Sequence, residues 1–225
     1  RDQNMIGGAS IETARFIPPP PKETLECMSA LEKYINRDDK RRAQALIDIA
    51  LVHYQFETIH PFADGNGRVG RMMISLMAIS EDLLNIPALY MSPEFERNKE
   101  SYIDHMYNVS ARSAWVPYLR MFLNTATESC RRTIGTIHRI LDLQQRYHAR
   151  AREVSRSNNM NAVVDMLFEA PVIQPKHIVD RLGITDAAAR NLLRQLTETG
   201  ILDEVRDMYP TVWFAGELID VSRPR

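Results

Sequence analysis

The chain has 225 residues, 44% of them hydrophobic and 25% charged, with a formal net charge of -1 at pH 7. That is the balance of a soluble globular protein of one large domain or two small ones. A net charge so near zero gives no global attraction to nucleic acid or to an anionic membrane, and no apolar run is long enough to span a bilayer. Cys27 and Cys130 lie far apart without metal-type spacing, which points to a reduced cytoplasmic protein. The opening residues lack the apolar core of a secretory signal. A start at Arg1 rather than Met raises the expectation that an upstream segment has been removed or processed.

Residues 1–16 are polar, and Gly7 and Gly8 offer a turn between two extended stretches. Pro18 to Pro21 form an extended polyproline run that leads into a helix expected over Glu23 to Asn36. A second helix is expected over Ala43 to Ile59, with Leu46, Ile49, Ala50, His53 and Phe56 on one face. Pro61 ends it, a glycine-rich loop follows, and a very apolar helix begins at Gly70 and runs to Ile79. Its methionines lie on most sides, so it is expected to be central and buried. Further helices are expected over Pro93 to Ser110, Trp115 to Thr127 and Ser129 to Ser155.

A boundary is expected at Ser155, Arg156, Ser157, Asn158 and Asn159, where small polar residues replace the helical pattern. This divides the chain into a domain of residues 1–155 and one of 160–220. The second has helices over Asn161 to Glu169 and Pro175 to Leu182, and then a turn at Gly183. A helix follows from Thr185 to Thr199, stopped by Gly200, and β-rich pieces close the domain at Leu202 to Val205 and Thr211 to Phe214. Helix, glycine turn, helix and hairpin is the order of a winged helix.

The densest chemistry lies between His60 and Arg71, in HPFADGNGRVGR. Holding a nucleoside triphosphate and moving one of its phosphorus centres requires charge neutralisation, alignment and a base. Gly65, Asn66 and Gly67 can direct successive N–H groups into one concavity, an anion site completed by the helix that follows. Glycine there permits both the φ values and the close approach. Asp64 is a hard oxygen ligand of the kind Mg²⁺ prefers. Arg68 and Arg71, three apart on a helix, can fork onto phosphate oxygens. His60 has the intrinsic pKa, about 6.5, of a general base near neutrality. Taken singly, each residue has an ordinary structural reading as a turn, a solvated charge or a core histidine. His53, Glu57 and His60 also have helical spacing for a metal site, but bare spacing is weak evidence for zinc.

The whole string matches the H-x-F-x-(D/E)-G-N-G-R-x-x-R signature of the Fic family, so the chain resembles those nucleotidyl-transferring proteins. The resemblance implies a mainly α fold, a Fic-type helical domain with a small β-hairpin flap, followed here by the winged helix-turn-helix domain. It implies Mg²⁺-dependent transfer of AMP from ATP to the hydroxyls of Ser, Thr or Tyr in target proteins, self-modification included. His60 would take the hydroxyl proton as the oxygen attacks the α-phosphate. Asn66 would assist at the α-phosphate, Arg71 would reach the γ-phosphate, and Phe62 would anchor the loop. Gly65, Gly67, Arg68 and Gly70 complete the phosphate-binding set, with Asp64 as the metal ligand. Residues 4–16 resemble the family's flap. Met5, Ile6, Gly7 and Gly8 would dock a target segment by strand addition. LYMSPEFERNKESYIDHM resembles the segment that closes over adenosine, which makes Tyr90, Asn98 and Tyr102 candidates for contacts with the base or ribose.

Many family members are inhibited by a helix carrying (S/T)-x-x-x-E-(G/N). No glutamate here precedes Gly or Asn, so that helix is expected upstream of the flap, outside this chain. Several alternatives stay open. The site is compatible with transfer of phosphate or another nucleotide, or with removal of AMP. A reading of another class makes the chain a DNA-binding regulator acting through the second domain. Against strong DNA binding, residues 150–225 carry 10 Lys and Arg against 11 Asp and Glu, a thin electrostatic footprint. Protein docking or homodimer formation is the expected role of that domain.

Overall fold

A computed structural model describes residues 3–155, 157–205 and 209–223. Pro20, at φ -56° and ψ 151°, is the last extended residue of the proline run. Pro21 opens α1 (Pro21–Ile35), a position where a missing N–H costs no hydrogen bond. A 3₁₀ turn (Arg42–Gln44) leads into α2 (Ala45–Ile59), and α3 spans Asn66–Ser80. The expected single helix over 93–110 is two, α4 (Ser92–Arg97) and α5 (Lys99–Arg112). Asn98 parts them as C-cap of the first and N-cap of the second, at φ -113° and ψ 32°, with its side-chain amide on the Glu94 carbonyl at 3.2 Å. The two helices expected on either side of Glu128 are one, α6 (Trp115–Val154), 40 residues long. Ser129, which marked the break, is buried and donates to the Tyr90 carbonyl at 3.0 Å.

After α6 come α7 (Asn158–Glu169), β1 (Val172–Ile173), α8 (Pro175–Leu182) and α9 (Asp186–Glu198). Then β2 (Asp203–Val205), β3 (Val212–Phe214) and α10 (Gly216–Ser222) complete the order. Thr185 caps α9 through its hydroxyl, which accepts from the Ala188 N–H at 3.2 Å. The strands form one antiparallel sheet in the order β1-β3-β2, with Ile173 and Glu204 both opposite Trp213.

Two compact units part between Thr133 and Ile134, inside α6, earlier than the composition shift at 155. The reason is apolar: Leu143, Tyr147 and Ala151 of α6 are fully buried with Val163, Leu167, Ile178, Leu193 and Trp213. Arg156, in the expected linker, lies outside the described residues.

In the N-terminal unit the central helix is α2. Ala45, Ile49, Ala50, Val52, Tyr54, Phe56 and Ile59 are all buried, which covers nearly its whole circumference. The expectation that α3 is the enclosed helix is corrected. Met72 and Leu76 are 56% and 54% exposed, and α3 buries one face, through Gly70, Ile74, Met77 and Ala78. Polar bonds fix α2 as well. The Tyr118 hydroxyl, fully buried, donates to the Ala50 carbonyl at 2.7 Å. At the other side Asp48 accepts from Tyr34 Oη at 2.9 Å and pairs with Arg37 at 2.6 Å. Because Ile49 has no exposure while Leu46 is 38% exposed, the two positions respond differently to truncation. Ile49→Ala is expected to cost about 2–5 kcal/mol in denaturant unfolding, and Leu46→Ala about 1 kcal/mol or less. Equal losses would mean that α2 is not enclosed as described.

Candidate active site

The site begins where α2 ends. His60 takes the left-handed conformation, φ 48° and ψ 56°, as the helix C-cap, and its N–H still reaches the Phe56 carbonyl at 3.0 Å. Pro61 follows and prevents further helix. The imidazole Nδ1 lies 3.1 Å from the Glu57 carbonyl. A carbonyl can only accept, so Nδ1 carries the hydrogen of the neutral ring and Nε2 is left as the basic nitrogen. Partial burial pushes the ring's pKa below its ordinary 6.5, opposed by the bond to Glu57. The ring is therefore neutral at pH 7 and able to accept a proton.

The loop is locked by its own asparagine. Asn66 is 2% exposed. Its Oδ1 accepts from the Phe62 N–H at 2.9 Å and its Nδ2 donates to the Phe62 carbonyl at 2.7 Å. Asn4 adds a second clasp, donating to the carbonyls of His60 at 2.8 Å and Phe62 at 2.9 Å. The loop is thus anchored by the Phe62 main chain. The Phe62 ring is 40% exposed and touches Phe56 at a centroid distance of 6.3 Å. Asn4 was not singled out in the sequence, since an asparagine 56 positions from its partner carries no local signal.

The glycines divide by role. Gly65, at φ 89°, is the left-handed N-cap of α3 and needs glycine for its backbone. Gly67 is already helical, and a Cβ there would meet Arg71 Nη1 at 2.9 Å. Because α3 starts at Asn66 and not Gly70, the first-turn N–H groups of Asn66, Gly67 and Arg68 form its anion-attracting end. Gly70 is buried at the crossing of α2 and α3. A Cβ on it would lie 2.3 Å from Glu57 Oε1 and 3.3 Å from His53 Nδ1. Its part is close packing, away from the phosphate-facing turn.

Asp64 and Arg68 form an exposed ion pair at 3.0 Å, and Asp64 Oδ1 accepts from the Gly65 N–H at 2.7 Å. Arg71 turns the other way, its Nε donating to Ser92 Oγ of α4 at 3.1 Å. The two arginines therefore flank the α3 N-terminus with different tethers.

The candidate adenosine residues do not form one group. Asn98 and Tyr102 both line a cavity of about 520 Å³ together with Ser101, His105, Arg120 and Asn124. Tyr102 also bonds His53 Nε2 at 3.0 Å through its hydroxyl. Tyr90 presents a ring 58% exposed. As for a zinc site, no group of three or more His, Cys, Asp or Glu among the described residues is placed to hold a metal. His53 is fully buried, its pKa pushed down to about 4 by burial, and its Nε2 is occupied by Tyr102.

The flap is closed by one residue pair, not by a ladder. Ile6 N–H reaches the Phe16 carbonyl at 2.9 Å and Phe16 N–H reaches Ile6 at 3.1 Å. Between them the chain bends rather than extends. Gly8, at φ 101°, would place a Cβ 2.3 Å from the Thr13 carbonyl. Arg15 pairs with Asp104 and lies over the Tyr107 ring at 5.3 Å, which ties the flap to α5. Met5 is exposed; Gly7, at φ 66°, has left the extended form, and its carbonyl accepts from the Arg15 N–H at 2.9 Å.

Glu57, unremarked for chemistry in the sequence apart from the metal spacing, has a buried Oε1 with no hydrogen-bond partner. Burial raises its pKa from 4.5 to about 7, against the pull of Arg71. The folded pKa lies above the unfolded one, so this carboxyl favours folding most at low pH. That contribution is lost as pH rises through about 7. Glu57→Gln should therefore gain stability over the wild type between about pH 5 and about pH 8 in thermal melts. A difference independent of pH would show that the carboxyl is solvated.

The match to known proteins falls on this half of the chain. Residues 1–78 match the Fic/DOC family. A probable protein adenylyltransferase of Aquifex aeolicus is 34% identical over 94 residues, 40% of this chain and 25% of that protein. The protein adenylyltransferase Fic of Drosophila melanogaster is 32% identical over 77 residues, 34% of this chain and 14% of that protein. The chain thus spans a quarter or less of the length of these relatives. A crystal structure of a Fic family protein from Desulfovibrio desulfuricans G20 superimposes with a TM-score of 0.51 at 17% identity. That superposition covers 93% of this chain and 58% of the other, and it speaks to fold alone. The ordered motif and the loop geometry thus lie within the part of this chain, residues 1–78, that matches the Fic/DOC family.

Proposed function

We propose that the protein transfers AMP from ATP to hydroxyl groups of target proteins. The observation that carries this is the geometry of His60: Nδ1 is committed to the Glu57 carbonyl, and Nε2 is left basic beside the N-terminus of α3. In the proposed reaction Nε2 takes the proton of a target Ser, Thr or Tyr as its oxygen attacks the α-phosphorus. The bond from that phosphorus to the bridging oxygen breaks, and pyrophosphate leaves with the electron pair. The N–H groups of Asn66, Gly67 and Arg68 receive phosphate oxygens, and Arg68 and Arg71 neutralise charge as their tethers open. The Asn66 side chain is a positioning group, since its amide is spent on Phe62.

Asp64 fits Mg²⁺, which needs only one or two carboxylates beside phosphates and waters. Among the described residues its exposed carboxylate is held by Arg68 and one N–H. A bound Mg²⁺ would supply charge neutralisation of the triphosphate. Asn98, Tyr102 and Tyr90 are retained as adenosine contacts, with Met5 to Gly8 as the target-facing strand.

For residues 160–220 we infer a winged helix that serves protein docking or pairing of two copies. The β1-β3-β2 sheet behind α7, α8 and α9 supports the fold. The pairing of Arg190 with Asp186 and of Arg194 with Glu198 neutralises the charge that a recognition helix would turn to DNA. Among the described residues no helix is long and apolar enough to cross a membrane.

Incubation with ATP and Mg²⁺, followed by intact mass measurement, is expected to show addition of AMP to the chain or to an added target. His60→Ala should lower the rate about 100-fold or more while nucleotide binding persists. A phosphate-sized addition would reverse the nucleotide in the cleft, and equal loss of binding would make His60 structural. The rate should rise with pH along a limb centred below 6.5, the ordinary value from which His60 is lowered. A limb above neutrality would assign the base elsewhere. Asp64→Ala should weaken ATP binding in Mg²⁺ and leave binding in EDTA unchanged, as followed by calorimetry. The same affinity with and without the ion would remove Asp64 as its ligand.

A further inference from the structure

His60, the base of the proposed reaction, is held from the flap as well as from the loop. It carries a Cβ yet stands at φ 48° and ψ 56°, a region that such residues keep where their surroundings fix them. It is also a helix end, whose last carbonyls have no partner within the helix. The His60 carbonyl accepts from Asn4 Nδ2 at 2.8 Å, and the same nitrogen donates its second hydrogen to the Phe62 carbonyl at 2.9 Å. Both partners can only accept, so the amide nitrogen faces them and both its hydrogens are spent. Gln3 fixes the segment that delivers Asn4, its Nε2 donating to the Pro18 carbonyl at 2.9 Å and to the Asn4 carbonyl at 3.1 Å. Two residues beyond Asn4, Ile6 is paired with Phe16.

We propose that Asn4 is a positioning residue for the transfer: by holding the carbonyls on both sides of Pro61, it keeps His60 in the conformation that turns its ring onto the Glu57 carbonyl. This rests on the reading of His60 as the base for a protein hydroxyl. The chain of contacts is short. His60 Nδ1 reaches a carbonyl three residues back, at 3.1 Å, and a drift of the His60 backbone would open that bond. The ring would then lose the single tautomer that leaves Nε2 basic. Asn66 does not replace this hold, since its side chain is bonded to Phe62. Aspartate at position 4 would have the same shape without the hydrogens, and would set a charge against two carbonyl oxygens. The flap thereby acts on the base as well as on the target.

The test uses the full chain with Asn4→Ala and, separately, Asn4→Asp. Each is expected to lower the rate of AMP transfer about 10-fold or more, with Kd for ATP unchanged, as for a group that acts on alignment. Ring-¹⁵N NMR near neutral pH, well below the melting temperature, gives a readout that a general loss of stability does not move. The His60 signals, identified by their absence in His60→Ala, should show one Nδ1-protonated tautomer in the wild type and a mixture in both variants. A wild-type rate in both variants, an ATP affinity that falls as far as the rate, or an unchanged His60 tautomer in both would overturn the proposal. If the wild-type chain transferred no AMP, the proposed reaction would fail, and the ring signals would still decide whether Asn4 holds His60.

Discussion

The site depends on one pair of hydrogen bonds, those by which Asn66 holds the Phe62 backbone at both its N–H and its carbonyl. They join the end of α2 to the start of α3 across the loop. With the loop fixed, His60 sits in a left-handed cap and the first-turn N–H groups of α3 stand free for an anion. A buried amide that lost these partners would leave polar groups unsatisfied, so the loop has strong reason to keep this form. Asn4 donates to the same Phe62 carbonyl, and to that of His60, from the flap side, so flap and loop share one anchor.

The same constraint explains why α2 is the enclosed helix. Its carboxyl-terminal turn must present His60, while Glu57 and His53, one turn apart, face α3. Gly70 lets α3 come close enough that Glu57 Oε1 would collide with any Cβ there. Close approach strips water from Glu57 and His53, and both shift toward their neutral forms. The crossing is thereby tight without burying two charges. Tyr102 satisfies one His53 nitrogen from α5, so the wall of the cleft and the core of the unit are the same set of side chains.

Much of this was legible in the residues because the motif is contiguous. Twelve residues in order place the base, the turn and the cations, and the structure puts them at one helix junction. What could not be read was long-range. Asn4 acts on residues far along the chain, and the sequence does not show that Gly70 is spent on packing and the Asn66 side chain on the loop. Apolar content misplaced the buried helix. α3 has more methionines but buries one face, whereas α2 is buried nearly all round. Helix ends failed for related reasons. Ser129 reads as a cap until its bond to Tyr90 is seen, and Asn98 reads as a helical residue until its backbone is found at φ -113° and ψ 32°. The second unit was legible in its turns, Gly183 and Gly200, and in Thr185, but a two-residue strand such as β1 has no periodicity to detect.

The charges that would meet a nucleotide are the least committed part of the site. Asp64 and Arg68 are 91% and 74% exposed in their side chains and form an ion pair with each other. Exposed pairs of this kind contribute about 0–1 kcal/mol, so separating them for a cation on one side and a phosphate on the other costs little. The uncharged scaffold is the reverse: Asn66, Gly70 and His53 are buried, with Asn66 bonded to the Phe62 main chain and His53 Nε2 to Tyr102. Binding energy is therefore not consumed in building the loop. It is available for aligning phosphorus with the incoming oxygen, the step on which an in-line transfer depends. A cheap exchange of ion partners on a rigid turn is the arrangement that the proposed transfer would need to hold a highly charged donor and then release pyrophosphate.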